Sequence, residues 1–235
     1  MCDSVFMSYL GGKGNCSSQI IGAMPLHRVY IETHLGAGAV MRTKRPAERQ
    51  IGIDLDPDVI ATWRRRDAPC ELVNGDAVQF LANFPFEGDE VVYCDPPYPH
   101  ESRASRTRYR HEYDEGQHVA LLGLLRSLNC RILVSGQLTE LYCEMLADWR
   151  CTRFKAPARR GAREEVLWAN FPQPDQLHDP MRAVGGFRDR ERVKRRLATM
   201  QRKVDQMTQL ERTLFLDWLA ESYPGEIARS EQAIR

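Results

Sequence analysis

The sequence predicts an α/β fold: a mostly parallel sheet with helices on both faces, a terminal β-hairpin and a C-terminal helical extension. Three observations carry this. Strand-like and helix-like runs alternate from about residue 28 to 155, the pattern of a parallel sheet covered by helices. The last two strand-like runs have no helix between them, so they pair antiparallel. Beyond a segment interrupted by Pro172, Pro174 and Pro180, apolar residues take helical spacing.

In chain order, Arg28–Thr33 reads as a strand and Ala39–Lys44 as a short helix. Gln50–Asp54 is a strand, and Pro57–Arg66 a helix with proline in its first turn. Glu71–Val73 and Ala77–Asn83 repeat the strand–helix pair. Val91–Cys94 is an apolar strand. Glu115–Leu128 is an amphipathic helix with Val119, Leu122 and Leu125 at helical spacing. Arg131–Val134 and Glu140–Trp149 are a further strand and helix. Thr152–Lys155 and Glu165–Asn170 form the hairpin, turning around Gly161. In the extension, Val193, Leu197, Met200, Val204 and Met207 make an apolar seam, too short for a coiled coil. Thr208 and Glu211 form a capping box opening a last helix, with Leu210, Leu214 and Trp218 on its inner face. The expected organisation is a domain over 1–171, a proline-rich connection over 172–180 and a basic helical extension over 181–235.

At 235 residues the chain is long enough for one substantial core plus an appendage. A net charge of +1 says nothing about a nucleic-acid partner; only the distribution of charge can. Seven scattered cysteines with no C-x-x-C spacing indicate neither a zinc site nor a disulfide framework. Most of the cysteines look like small apolar residues of a reducing cytoplasm, and no apolar run reaches bilayer-spanning length; the expectation is a cytoplasmic protein without membrane contact.

Asp95-Pro96-Pro97-Tyr98, directly after an apolar strand, is the most informative segment. An ionised Asp95 offers only acceptors, and Pro96 keeps its C=O without an N–H. Two acceptors and the flat face of Tyr98 suit a planar ring bearing an exocyclic NH₂. Glu32 through Gly38 places a carboxylate at a strand end, then Gly36 and Gly38, where a ligand can approach the backbone. The dinucleotide fingerprint needs a third glycine at position 41, which is Met. Asp54 ends the next strand, placed to accept both hydroxyls of a ribose or to cap the following helix. Asp76 ends the third strand, placed to accept an adenine amino group or to cap its own helix. Tyr9-Leu10-Gly11-Gly12-Lys13-Gly14 is not a P-loop, since Met7 and Gly14 break that pattern.

Together these residues resemble the Dam-like (alpha-type) DNA adenine-N6 methyltransferases, of the compact phage and prophage type. The resemblance covers roughly residues 8–170. It rests on Tyr9 to Lys13, Glu32 to Gly38, Ile53-Asp54, Gly75-Asp76 and the full Asp95-Pro96-Pro97-Tyr98 motif. Tyr109 to Tyr113, His118, Leu133 to Gly136 and Glu165 to Asn170 resemble further segments. It implies a Rossmann-like class I methyltransferase sheet and S-adenosyl-L-methionine as cofactor. Implied cofactor-binding residues are Tyr9, Gly11, Gly12, Lys13, Glu32, Gly36, Gly38, Asp54 and Asp76. Implied catalytic residues are Asp95, Pro96, Pro97 and Tyr98, with no metal. The partner is DNA, as a duplex with a flipped adenine or as a single strand, in a bacterial or phage-infected cell. Arg103, Arg106, Arg108 and Arg110 follow the motif and are expected to hold phosphates or fill the space the flipped base leaves. Tyr93 and His100 are candidate neighbours of that base.

The sequence departs from the family at Thr33 and His34, where Pro-Phe is usual. Only eighteen residues separate Asp76 from Asp95, too few for a target-recognition domain. Methylation is therefore expected in a very short sequence context, or nearly any context, rather than at one long palindrome. The alternatives are a methyltransferase acting on RNA or a protein amide, or a non-catalytic DNA-binding subunit that keeps the fold.

Overall fold

The structure is a computed structural model that describes Lys13 and residues 16–98, 112–158 and 161–232. The chain divides into two units, Met1–Asp179 and Pro180–Arg235.

The first unit is built on seven strands: β1 (Val29–Glu32), β2 (Arg49–Asp54), β3 (Glu71–Asn74), β4 (Glu90–Cys94), β5 (Arg131–Gly136), β6 (Arg150–Ala158) and β7 (Gly161–Ala169). They form one sheet in the order β3-β2-β1-β4-β5-β7-β6. The first five pair in parallel, and β7 runs antiparallel between β5 and β6. This is the expected mostly parallel α/β sheet, closed at one side by an antiparallel hairpin. All five residues of β4 are buried, which is why Val91–Cys94 is continuously apolar rather than alternating.

Helices cover both faces. On one, Leu81 of α3 (Ala77–Asn83), Leu121, Leu122 and Leu125 of α4 (Glu115–Ser127) and Tyr142 of α5 (Glu140–Met145) pack on Ile31, Ile53, Val92, Ile132 and Trp168. On the other, Ile20 and Ile21 of α1 (Ser17–Ile21) and Val59 and Trp63 of α2 (Pro57–Arg64) pack on Tyr30, Val91, Tyr93, Leu133 and Leu167. The strand residues alternate between these two lists because successive side chains leave a strand on opposite sides. Local chemistry sets the helix starts. Asp56, Asp76 and Thr139 cap α2, α3 and α5, and Asp114 opens α4 with a full capping box.

Several elements differ from the sequence reading. Ala39–Lys44 forms consecutive turns, with Arg42 N bonded to Gly38 O and Lys44 N to Val40 O, rather than a helix. The glycine segment therefore does not open a helix N-terminus. On α4 the buried face is His118, Leu121, Leu122 and Leu125, while Val119 is exposed. α5 ends at Met145, four residues earlier than expected. The hairpin strands are longer, each of nine residues, with Gly161 in β7.

The second unit holds α6 (Pro180–Ala183), α7 (Phe187–Asp205), α8 (Gln209–Ser222) and α9 (Pro224–Gln232). The Thr208–Glu211 capping box is present. Among the described residues of this unit none is buried. Leu210, Leu214 and Trp218 are exposed instead of lining an inner face, as are Leu197 and Met200 of the α7 seam.

Candidate active site

The parallel register brings the strand ends into line. Glu32 lies opposite Gly52 on one side and Tyr93 on the other. Asp54 lies opposite Asn74. Strand order reverses between β1 and β4, the switch point at which open α/β sheets receive ligands beyond their strand ends. Glu32 ends one of these two strands, and Asp95 directly follows the other.

Asp95 is held by two donors on one oxygen. The Lys13 ammonium lies 2.7 Å from Oδ1, and Ser135 Oγ donates to the same oxygen over 2.8 Å. Ser135 Oγ in turn bonds Tyr93 Oη at 2.9 Å. Among the described residues no donor is bonded to Asp95 Oδ2, and the side chain keeps 18% exposure. Asp95 thus has one oxygen engaged inside the protein and one to offer.

Tyr98 is buried beside it. Its hydroxyl accepts from Lys13 and donates to Glu165 Oε2 over 2.8 Å. The Lys13 nitrogen lies 4.5 Å from the Tyr98 ring centroid and 3.6 Å from Glu165 Oε2. Burial opposes the charge on Lys13, but Asp95, Tyr98 and Glu165 more than offset it, and its pKa stands well above the usual lysine range. Burial pushes the Tyr98 hydroxyl well above its ordinary range, so it stays protonated and donates.

Glu32 is buried on the same side as Tyr30, whose hydroxyl donates to it over 2.9 Å. Burial raises its carboxyl to about 8, with the Tyr30 hydrogen bond opposing the rise. Lys44, also buried, lies 4.3 Å over the Tyr30 ring and donates to Arg45 O at 2.9 Å. Burial lowers it to about 7 against the attraction of Glu32.

Asp54 ties the glycine segment to its own strand end. Oδ2 accepts from Gly36 N at 2.8 Å and Oδ1 from Asp56 N at 2.9 Å. Gly38 has φ +56°, and a Cβ there would stand 2.2 Å from the Trp63 ring. Its glycine thus serves close packing, while Trp63 Nε1 donates to Gly36 O. Asp76 accepts from Gln79 N at 2.9 Å, the cap anticipated as one of its two roles. Tyr9, Gly11, Gly12, His100, Arg103, Arg106, Arg108 and Arg110 lie outside the described residues.

The structure adds residues to which sequence reasoning gave no role. Ser135 and Glu165 stand in matched segments without a chemical signature, and only the fold brings them to Asp95 and Tyr98. His34 bonds Thr33 Oγ1 at 2.7 Å and the Tyr113 hydroxyl at 3.2 Å. Burial lowers its pKa to about 4, so it is a neutral imidazole. The one signal for it was its place beside the glycine segment. Among the described residues no group of His, Cys, Asp or Glu could hold a metal, and no helix is long and apolar enough to cross a membrane.

No protein-family model matches the chain, and no curated protein matches it. Solved structures similar to it include a precorrin 8w decarboxylase from Methanobacterium thermoautotrophicum, at 17% identity and TM-score 0.45, covering 70% of this chain and 94% of that one. The 23S rRNA methyltransferase ErmE is 14% identical at TM-score 0.45, covering 77% and 72%. A magnesium protoporphyrin IX methyltransferase from Synechocystis PCC 6803, solved with bound SAM, is 11% identical at TM-score 0.44, covering 67% and 79%.

Proposed function

We propose that the chain is a DNA adenine-N6 methyltransferase that uses S-adenosyl-L-methionine and flips its target base out of the duplex. The observation that carries this reading is the state of Asp95. It is fixed through one oxygen by Lys13 and Ser135, and its other oxygen, at the sheet's switch point near Tyr98, takes no donor among the described residues.

The residues at the strand ends fit the cofactor. S-adenosyl-L-methionine carries an ammonium, a sulfonium and a ribose, which call for carboxylates. Glu32 suits the cationic amino-acid end, and Asp54, at the end of β2 beside the glycine segment, suits ribose hydroxyls. Asp76, two residues beyond β3 at the start of α3, suits the adenine amino group. When bound, the cofactor supplies a methyl group on a cationic sulfur, transferred as the N–C bond forms and sulfur keeps the S–C electron pair.

The protein's part is positioning and aimed acceptors. The amine of adenine is a poor nucleophile because its lone pair is delocalised into the ring. Asp95 Oδ2 accepts one N6 hydrogen and the Pro96 carbonyl the other, which favours a pyramidal nitrogen with its lone pair directed at the methyl. The proton that N6 sheds after transfer leaves through the Asp95 side. The base is unreachable inside a duplex, so it is extruded and lies on the face of Tyr98, a contact of about 1–3 kcal/mol.

The test is transfer of labelled methyl from S-adenosyl-L-methionine to DNA, RNA and protein in parallel, with the Asp95→Ala variant beside the wild type. Label in DNA, recovered as N6-methyladenine and lost in the variant, supports the reading. Label confined to RNA or protein moves the chain to another amine-methylating class. Failure to bind the cofactor in a calorimeter favours a non-catalytic subunit.

A further inference from the structure

We propose that Glu165 is a positioning residue for methyl transfer: it anchors the Tyr98 hydroxyl and the Lys13 ammonium, so that Lys13 engages Oδ1 of Asp95 and leaves Oδ2 for the target amine. This role rests on the functional reading above.

Glu165 is fully buried, 0% exposed, on the central strand of the antiparallel end of the sheet. A buried carboxylate is costly unless it is paired and hydrogen-bonded, so its position there needs a reason. Its neighbours supply one. Val166 pairs with Gly136, the last residue of β5. Glu165 therefore stands one residue beyond that strand's end, at the edge where Asp95 lies. It shares a face with Leu167, which packs with Tyr93 and Leu133. From that place it takes a hydrogen bond from Tyr98 and faces the Lys13 ammonium.

Tyr98 and Asp95 both belong to an irregular segment after β4, without a ladder to hold them. Glu165 lends them a strand. A ring that is to stack on a base needs a fixed plane, and two χ angles leave it free to swing unless its hydroxyl is tied. Lys13 lies against Asp95, Tyr98 and Glu165 at once. The carboxylate of Glu165 draws the ammonium toward the Tyr98 side, so Lys13 reaches Asp95 at Oδ1, the oxygen that Ser135 also holds. Misplacement of a reacting group by about 1 Å costs on the order of a hundredfold in rate, so a support of this kind reads out in turnover rather than in binding.

The experiment measures single-turnover methyl transfer by wild type, E165Q, Y98F and the E165Q/Y98F double variant. Cofactor affinity by calorimetry and melting temperature are measured on each. Glutamine fills the same volume and keeps an oxygen for the Tyr98 hydroxyl but drops the charge that steers Lys13. The expected result is a transfer rate at least tenfold lower in E165Q, with cofactor affinity within twofold of wild type. The double variant is expected to be no slower than the slower single variant, because both remove parts of one unit. E165Q turning over within twofold of wild type overturns the role. So do single losses that multiply in the double variant, which is the behaviour of independent defects. If E165Q does not fold, Y98F decides: a normal transfer rate without the hydroxyl overturns the role. A wild-type chain that binds cofactor yet methylates no adenine overturns the functional reading, and this role with it.

Discussion

Asp95 sets the residue scale. Its Oδ1 is engaged by Lys13 and Ser135, so Asp95→Ala removes the remaining acceptor and leaves a buried lysine without its nearest counter-charge. Turnover is expected to fall by at least about a hundredfold, the scale of removing one aimed group at a reacting atom, while cofactor affinity holds. Asp54→Ala combines two losses. A hydrogen bond to a charged group contributes about 1.5–3 kcal/mol, so cofactor affinity is expected to fall about tenfold or more. The backbone N–H groups of Gly36 and Asp56 lose their acceptor as well, and a lower melting temperature is expected with it. From sequence alone Tyr98→Phe looks mild, since the ring face survives. The structure raises its expected cost, because the hydroxyl is the shared partner of Glu165 and Lys13.

Glu32 yields a pH prediction at the same scale. Burial holds its carboxyl at about 8, so in the free protein at pH 7 it is mostly protonated. A cationic ligand beside it favours the ionised form, and binding then releases a proton. Calorimetry at pH 7 in two buffers of different ionisation enthalpy is expected to show release approaching one proton per cofactor. Affinity is expected to rise with pH up to about 8 and then level off. Binding without proton release would place the cofactor's cationic end away from Glu32.

Elements hold these residues in place, and two are open to direct test. Gly38 combines a positive φ with a Cβ position inside the Trp63 ring. Gly38→Ala is expected to destabilise the chain by about 1–3 kcal/mol, the size of an overpacked core site, and to loosen the segment that Asp54 holds. The strap that precedes the second unit is the other. Leu177 bridges to Pro25, and His178 N bonds Met24 O. His178 stacks on His27 with centroids 3.8 Å apart. Burial lowers the pKa of both rings, and the neighbouring charge adds to the effect, from His178 on His27 and from Lys44 on His178. With folded pKa values below the unfolded value near 6.5, the unfolded chain takes up more protons in acid. Stability is therefore full above about pH 6.5 and is lost as pH falls below it. The melting temperature is expected to drop across that acid limb, and His178→Phe to flatten it.

At the scale of the whole molecule, the legible and illegible parts of the sequence separate by range. The strands and capped helices of the first unit are written locally, in buried runs such as Val91–Cys94 and in Asp56 and Asp76 at helix starts. Ala39–Lys44 has helical composition, but the backbone turns through Gly36 and Gly38 before it, and a string of turns results. The Asp95 motif is visible in sequence, whereas Ser135 and Glu165 are not. Their roles come from β5 and β7 reaching the same edge across 40 and 70 residues of chain. Leu210, Leu214 and Trp218 show the reverse failure: the helix forms as its pattern indicates, but its apolar side stays exposed.

Charge on the second unit belongs to this scale too. Arg190 is spent on the carbonyl of Gly185 at 2.6 Å, and Lys194 pairs with Glu191 at 3.1 Å. Replacing Arg190, Lys194 and Arg195 is accordingly expected to change the salt dependence of DNA binding less than replacing Arg103, Arg106, Arg108 and Arg110. Each lost phosphate contact flattens the slope by about one unit. Equal slopes for wild type and the second variant would remove Arg103, Arg106, Arg108 and Arg110 from the DNA interface.

The most direct measurement is the identity and context of the methylated product. DNA of mixed sequence is incubated with S-adenosyl-L-methionine and either the wild-type chain or Asp95→Ala. Modified nucleosides are identified by mass spectrometry and mapped by sequencing after limited and exhaustive reaction. The expected result is N6-methyladenine in a context of very few base pairs, with none above background in the variant. Methyl groups on RNA or protein alone, or undiminished adenine methylation by Asp95→Ala, would contradict the account.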